Sequence, residues 1–167
     1  NNLYEAPLML EESGFSDVVC RELHIDAAKP DLEEWKQMVE RIHNRAEEVQ
    51  IGLVGKYVKL HDAYLSIAEA LQHAGYEKNT FSKIHWIDSE EITKQNVGRI
   101  LGGLHGVIIP GGFGNRGIEG MIVAAQYARE KKLPYLGICL GMQIAVIEFA
   151  RNVIGYTDAG SGEFEEQ

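Results

Sequence analysis

From Gln50 onward, short apolar segments typical of β-strands alternate with longer segments of helical pattern. Such alternation indicates parallel strands joined by helical crossovers, with helices on both faces of the sheet. We therefore predict an α/β fold with an open, mainly parallel sheet of the flavodoxin-like type. The expected strands are 51–55, 81–87, 104–109 and 135–138, and the expected helices are 62–75, 121–130 and 141–150.

Residues ahead of this unit have a different character. Segment 4–10 has the pattern of a short apolar helix and segment 18–23 is mixed, and neither is large enough to close a core. A longer helix is expected to begin at Asp31, because Glu34 follows at capping-box spacing and apolar residues then recur at helical spacing. The charged segment 45–48 is expected to link this helix to the α/β unit.

Charge and cysteine content argue against several classes of protein. The 167 residues carry 16 Lys and Arg against 25 Asp and Glu, a net charge of −9, whereas a generic phosphate-backbone binder needs a cationic surplus. Two cysteines cannot build a disulfide framework, and no apolar run approaches the roughly 20 residues of a membrane span. The six histidines show no metal-ligand spacing. We therefore expect a cytoplasmic protein without a metal site, a nucleic-acid partner or a membrane partner.

The segment 135–143 carries the sharpest chemical signal. It reads as a strand, then Gly137-x-Cys139-x-Gly141, then a helix, which is the arrangement of a nucleophile elbow. Such a turn pushes Cys139 out beyond the strand, at a helix N-terminus whose partial positive charge favours the thiolate. The amide of Leu140 would then point to where an oxyanion develops. The plainer interpretation is a buried structural cysteine between two helix-packing glycines.

A second loop, 110–120, contains five glycines in eleven residues directly after an apolar strand. Its unobstructed backbone N–H groups could bind a phosphate or donate to an oxyanion, although a tight turn would need the same residues. Because sequential strands are often neighbours, we expect this loop to face Cys139. The segment 52–57 has the outline of a phosphate loop but lacks the Walker spacing and its Ser or Thr, so we do not expect nucleotide binding there.

These motifs together resemble the class I glutamine amidotransferases, and within them the glutaminase domain of the CTP synthase family. The matching stretches are 52–57, 62–66, 110–121 and 135–143. The most specific of them is the second loop, with its form Pro-Gly-Gly-Phe-Gly-x-Arg-Gly-x-Glu-Gly-Met.

The resemblance also implies a division of the chain. Residues 1–25 are implied to be the tail of an amidoligase (synthetase) domain, 26–49 an interdomain linker helix, and 50–167 the N-terminal part of the glutaminase domain. The sheet would then be incomplete at its C-terminal side. Apolar surface is expected to be exposed there, where further strands should pack.

Each matching position takes a role from the resemblance. Cys139 is implied to be the nucleophile that attacks the side-chain amide of L-glutamine, giving a γ-glutamyl thioester and ammonia. Gly112 and Leu140 are implied to donate the oxyanion-hole hydrogen bonds, and Arg116 lies in the loop expected to respond to GTP. The implied glutamine-binding positions are Gly112, Leu140, Gly141, Met142, Gln143 and Glu163.

The chain departs from the family in two places. The family stretch Asn-Ser-x-Glu-Phe has Gly160 in place of its Asn, ahead of Glu163. The family's base lies in a His-x-Glu motif downstream of the cysteine, whereas all six histidines here precede Cys139. His61 or His105, near predicted strand ends, is the alternative base. Without a downstream histidine we expect the 167 residues alone to be inactive, because proton delivery to the leaving ammonia is unprovided.

For the whole enzyme, the resemblance implies that the ammonia aminates UTP to CTP with ATP and Mg²⁺. It also implies that GTP activates glutamine hydrolysis and that the enzyme is a homotetramer of pyrimidine biosynthesis, while no cofactor is implied for this chain itself. The residues leave two other classes open. One is another cysteine-elbow hydrolase of similar fold, such as a peptidase or γ-glutamyl hydrolase, and the other is a non-enzymatic flavodoxin-like module whose thiol senses oxidation.

Overall fold

Four parallel strands form the central sheet: β1 (Glu47–Gly55), β2 (Thr80–Asp88), β3 (Gly106–Ile109) and β4 (Tyr135–Gly137). The structure is a computed structural model that describes residues 2–163. Across the sheet the order is β2-β1-β3-β4, and every neighbouring pair is parallel. This confirms the predicted α/β fold with a parallel sheet. It also places β4, the strand that leads to Cys139, at an edge of the described sheet.

Helices cover both faces of the sheet. In the described residues they are α1 (Ala6–Glu12), α2 (Phe15–Glu22), α3 (Glu33–His43), α4 (Leu65–Lys78), α5 (Val97–Leu101), α6 (Ile118–Lys131) and α7 (Leu140–Phe149), which a π-helical turn, Ala150–Ile154, continues. Because side chains alternate along a strand, Val54 of β1 packs into a core with α5, α6 and α7, whereas its neighbour Leu53 meets Tyr64 on the opposite face, beside α4.

Several element boundaries differ from the prediction by a few residues, and two of the differences have a clear structural cause. Strand β1 begins at Glu47, not at residue 51, so the expected charged linker is the exposed start of a strand paired with β2. Helix α4 runs past Gly75 and ends at Lys78, and the capping residue Asn79 takes the left-handed conformation at φ 57°. Gly75 does not stop the helix. It lies where a Cβ atom would meet the Thr80 carbonyl oxygen at 2.5 Å, so it allows α4 to approach the start of β2.

The N-terminal residues fold back onto the α/β unit through Tyr4. The Trp35 indole donates a 2.7 Å hydrogen bond to the Tyr4 carbonyl, and the Tyr4 ring lies edge-on to those of His73 and Tyr76. The expected mixed segment 18–23 is largely helical, within α2. The assignment of residues 1–25 and 26–49 to a synthetase tail and a linker stays a prediction.

An exposed apolar surface lies at the C-terminal side, where the sequence predicted one. Leu136 on the edge strand β4 is 54% exposed, and Met142, Val146 and Phe149 form a stripe on the outer side of α7 with similar exposure. No helix in the described part of the chain combines the length and hydropathy needed to cross a membrane.

Candidate active site

The turn between β4 and α7 has the strained backbone that a nucleophile elbow requires. Cys139 takes φ 54° and ψ −105°, a conformation that non-glycine residues adopt only where the surroundings enforce it. The close packing of α7 on β3 and β4, which the two flanking glycines allow, enforces it here. A Cβ atom on Gly137 would lie 2.4 Å from the Gly141 carbonyl carbon, and one on Gly141 would lie 1.9 Å from the Ile109 carbonyl oxygen. Cys139 is exposed, so the structure excludes the alternative of a buried structural cysteine.

Hydrogen bonds around the elbow leave one amide free beside Cys139. The N–H groups of Met142 and Gln143 both donate to the Cys139 carbonyl, and that of Gly141 donates to Ile138. The N–H of Leu140 has no acceptor among residues 2–163. It is therefore available at the N-terminus of α7, where the sequence predicted an oxyanion donor.

The glycine loop after β3 faces the elbow, as predicted. Strands β3 and β4 are neighbours, so the loops that leave their carboxyl ends meet. A Cβ atom on Gly111 would lie 3.6 Å from Cys139 Cβ, and one on Gly112 would lie 3.4 Å from Leu140 Cδ2. No acceptor within the described part of the chain takes the amides of Gly111 and Gly112. Two sets of backbone amides without an acceptor among residues 2–163 thus lie beside the cysteine.

Lys56 lies beneath this loop, a placement that the sequence did not predict. Its side chain is buried, and its ammonium group donates hydrogen bonds to the carbonyl oxygens of Phe113, at 3.1 Å, and Gly114. Burial, and then the positive charge of Arg116, lowers the pKa of Lys56. The one signal in the sequence is a lysine directly after a buried strand, in the segment that was interpreted only as a weak phosphate loop.

Arg116 is held in place by two partners. Its guanidinium donates to the Glu90 carboxylate at 2.7 Å and to the Lys56 carbonyl, and it lies 5.8 Å from the centre of the Tyr57 ring. The hydrogen bond that Arg116 donates to Glu90 raises the pKa of Arg116 further. A response of this loop to GTP stays a prediction.

Two of the predicted glutamine-binding residues are in direct contact. The Gln143 side-chain amide donates to the Glu163 carboxylate at 2.8 Å. Gly141 packs against the backbone of β3, and the Met142 side chain is exposed on the apolar side of α7. The binding roles of all these positions remain predictions.

Neither candidate upstream histidine reaches Cys139. His61 stacks on Trp86 of β2 with ring centroids 4.2 Å apart, and two strands separate β2 from β4, a distance of about 14 Å at ordinary strand spacing. His105 precedes β3 and its Nδ1 accepts from the Gln50 amide, so it lies at the opposite end of the sheet. The structure therefore argues against both as the base. Residues 2–163 also contain no group of three or more His, Cys, Asp or Glu side chains that could hold a metal ion.

Comparisons with known proteins point to the same family. The family model described as "Glutamine amidotransferase class-I" matches residues 59–166. A CTP synthase of Carboxydothermus hydrogenoformans is 58% identical over 165 residues, which are 99% of this chain and 31% of that protein, and one of Clostridium acetobutylicum is 52% identical over 166 residues. The chain therefore spans about a third of the length of these relatives. Among solved structures, the glutaminase domain of Trypanosoma brucei CTPS with bound acivicin matches with a TM-score of 0.66 and 43% identity, over 70% of this chain and 46% of that one.

Proposed function

The chain belongs to the class I glutamine amidotransferase family, and we propose that it carries the nucleophile half of the glutaminase site of a CTP synthase. The observation that carries this proposal is the meeting of Cys139, on its strained elbow, with the free amides of Gly112 and Leu140. A reactive thiol and two backbone donors are the minimum that acyl transfer from an amide needs.

The reaction at this site forms and breaks one covalent intermediate. Cys139 Sγ attacks the carbonyl carbon of the glutamine side chain, and the oxyanion accepts hydrogen bonds from Gly112 and Leu140 N–H. The C–N bond then breaks, ammonia leaves with a proton from a general acid, and a γ-glutamyl thioester remains on Cys139. Water attacks the thioester, which releases glutamate and restores the thiol. Since no histidine in the described residues hydrogen-bonds to Cys139, the general acid and base come from the family's His-x-Glu motif outside them.

Glutamine recognition follows from charge. The Glu163 carboxylate suits the α-ammonium group of the substrate, and Gln143 holds that carboxylate close to α7, the helix that follows Cys139. Gly141 and Met142 follow Leu140 in the same helix turn and complete the proposed binding positions.

In the whole protein, the ammonia aminates UTP to CTP with ATP and Mg²⁺, and GTP acts on the glycine loop around Arg116. No acidic or histidine cluster in residues 2–163 fits a metal ion, so this part of the chain is proposed to supply no ligand to Mg²⁺. ATP, UTP and Mg²⁺ would be bound by other residues of a homotetrameric enzyme.

Labelling of the full-length protein with acivicin tests the proposal. We expect mass spectrometry to find the adduct on Cys139, with glutamine slowing its formation, and a Cys139→Ser variant to lose both the adduct and glutamine hydrolysis. Cys20, which is partly buried, serves as the control thiol: a Cys20→Ser variant should behave as wild type. Labelling that glutamine does not slow would favour another cysteine-elbow hydrolase. Sulfenic acid at Cys139 without thioester formation would favour a thiol sensor.

A further inference from the structure

Lys56 is a buried charge that the proposed reaction does not use. The residue is only 4% exposed, and no carboxylate in the described residues pairs with it. Burying a charge without a counter-charge is unfavourable, so a lysine at this position opposes stability unless its hydrogen bonds compensate. Those hydrogen bonds go to Phe113 and Gly114, in the loop that contains Gly112.

The side chain of Lys56 also lies beside Gly112 itself. A Cβ atom on Gly112 would lie 3.5 Å from Lys56 Cδ and 3.7 Å from Cε, on one side, and 3.4 Å from Leu140 Cδ2. Gly112 is therefore enclosed between the methylene stem of Lys56 and the first residue of α7. The Lys56 ammonium group holds Phe113 and Gly114, the two residues that follow Gly112.

Within the glycine loop, the stretch 111–114 has little else to hold it, since the next anchor is the Arg116–Glu90 pair. Among the described residues, the ammonium of Lys56 supplies the only hydrogen bonds recorded to the backbone of 111–114. Phe113 is 88% exposed, so its side chain does not anchor the loop. Glycine-rich backbone has the greatest conformational freedom, and an amide that must meet an oxyanion has to be held in place.

We propose that Lys56 is a positioning residue, which holds the Gly112 amide where it meets the oxyanion formed at Cys139. This inference rests on the proposed glutaminase function. It assigns to Lys56 neither substrate contact nor proton transfer. Misplacing a reacting or donating group by 1 Å can reduce a rate about 10²-fold, and losing an oxyanion donor reduces kcat by roughly 10²–10³.

The test uses the full-length protein with Lys56→Met, which keeps the stem and removes the donors. We expect kcat for glutamine hydrolysis to fall by about 10²-fold while the KM for glutamine changes by less than about threefold, because the lost interaction acts on the transition state. Lys56→Arg keeps donors for both carbonyls, so its kcat should be about tenfold higher than that of Lys56→Met. Lys59→Met, at an exposed position of the segment that follows β1, is the matched control and should retain the wild-type kcat.

A second readout separates positioning from damage to the fold. Alkylation of Cys139 by iodoacetamide depends on the thiol and the elbow rather than on the oxyanion hole, so its rate in Lys56→Met should stay within about twofold of wild type. Wild-type kcat in Lys56→Met would overturn the proposal, and so would an equal loss of hydrolysis and alkylation, which indicates a role in folding only. A wild-type protein that does not hydrolyse glutamine would instead overturn the proposed function, and the inference with it.

Discussion

The Gln143 side-chain amide donates a 2.8 Å hydrogen bond to the Glu163 carboxylate, across 20 residues of the chain. Ser161 supports the pair, since its hydroxyl donates to Gln143 Oε1 at 3.4 Å and accepts from the Glu163 amide at 3.3 Å. Gln143 lies about one helical turn after Cys139. The carboxylate is thereby tied to the helix whose N-terminus carries the candidate nucleophile.

Replacing Glu163 by Gln removes its charge and leaves an amide that can still bond to Gln143. If the carboxylate binds the α-ammonium group of glutamine, the KM for glutamine in the full-length protein should rise about 10- to 100-fold, as expected for the loss of a charged hydrogen bond. The kcat should change much less. Steady-state glutaminase kinetics measure both. Asp158→Asn makes the same charge change at an exposed position nearby and should leave the KM unaltered, and an unaltered KM in Glu163→Gln would remove Glu163 from the site.

Replacing Gly141 by Ala tests the packing that builds the elbow. The added Cβ atom would lie 1.9 Å from the Ile109 carbonyl oxygen, so α7 must move away from β3. We expect a loss of about 3 kcal/mol in the free energy of unfolding, typical of severe overpacking.

Gly103→Ala is the matched control, because a Cβ atom there meets nothing within 4 Å. Its free energy of unfolding should stay within about 0.5 kcal/mol of wild type. Urea denaturation of both variants compares the two values. Similar stabilities for the two variants would mean that the contact between α7 and β3 is looser than the structure gives.

The elbow was predictable from the sequence because its causes are local. Gly137 and Gly141, one on each side of Cys139, both allow α7 to approach β4 and β3. A strand and a helix flank them within a few residues. The pairing of β3 with β4 followed from their order in the chain. These local rules were enough to bring the glycine loop to the cysteine.

The support of the glycine loop was not predictable, because it depends on contacts between distant residues. Lys56 and Phe113 are 57 residues apart, and Arg116 meets Glu90 across 26 residues. Its place directly after a buried strand does not by itself distinguish Lys56 from an exposed loop lysine. The start of β1 could not be predicted from the sequence for a similar reason. Glu47 looks like part of a linker, and only its pairing with Thr80 makes it a strand residue.

Tyr135 makes the stability of the fold depend on pH in the alkaline range. Its phenol donates a 2.6 Å hydrogen bond to the Gly141 carbonyl, and burial, helped by the negative charge of Glu148, raises the pKa of Tyr135 above its ordinary value of 10.0. The folded protein thus keeps a proton that the unfolded chain releases. The stability due to this group is complete below about pH 10 and declines as the pH rises further.

A Tyr135→Phe variant isolates this effect. Below pH 9 it should be about 1 kcal/mol less stable than wild type, since it lacks one hydrogen bond. Above pH 10 the difference should shrink, because wild type alone loses the contribution. Urea denaturation across pH 8 to 11 measures the difference. A constant difference over that range would show that Tyr135 ionises equally in the folded and unfolded chains.

The apolar stripe on α7 leads to a prediction about stability. A charged substitution on the stripe should destabilise a protein as long as the relatives more than it destabilises the 167-residue chain. Val146 is 63% exposed in the 167-residue chain, so Val146→Lys should change its free energy of unfolding by less than about 0.5 kcal/mol and reduce self-association. If further chain covers this face in a protein as long as the relatives, the same change should cost about 2 kcal/mol or more, because a charge is then buried. Urea denaturation of both lengths, with sedimentation velocity for the shorter, compares the two. Ile144→Lys, on the fully buried side of the same helix, should unfold both. Equal tolerance of Val146→Lys at both lengths would mean that this side of α7 stays open to solvent.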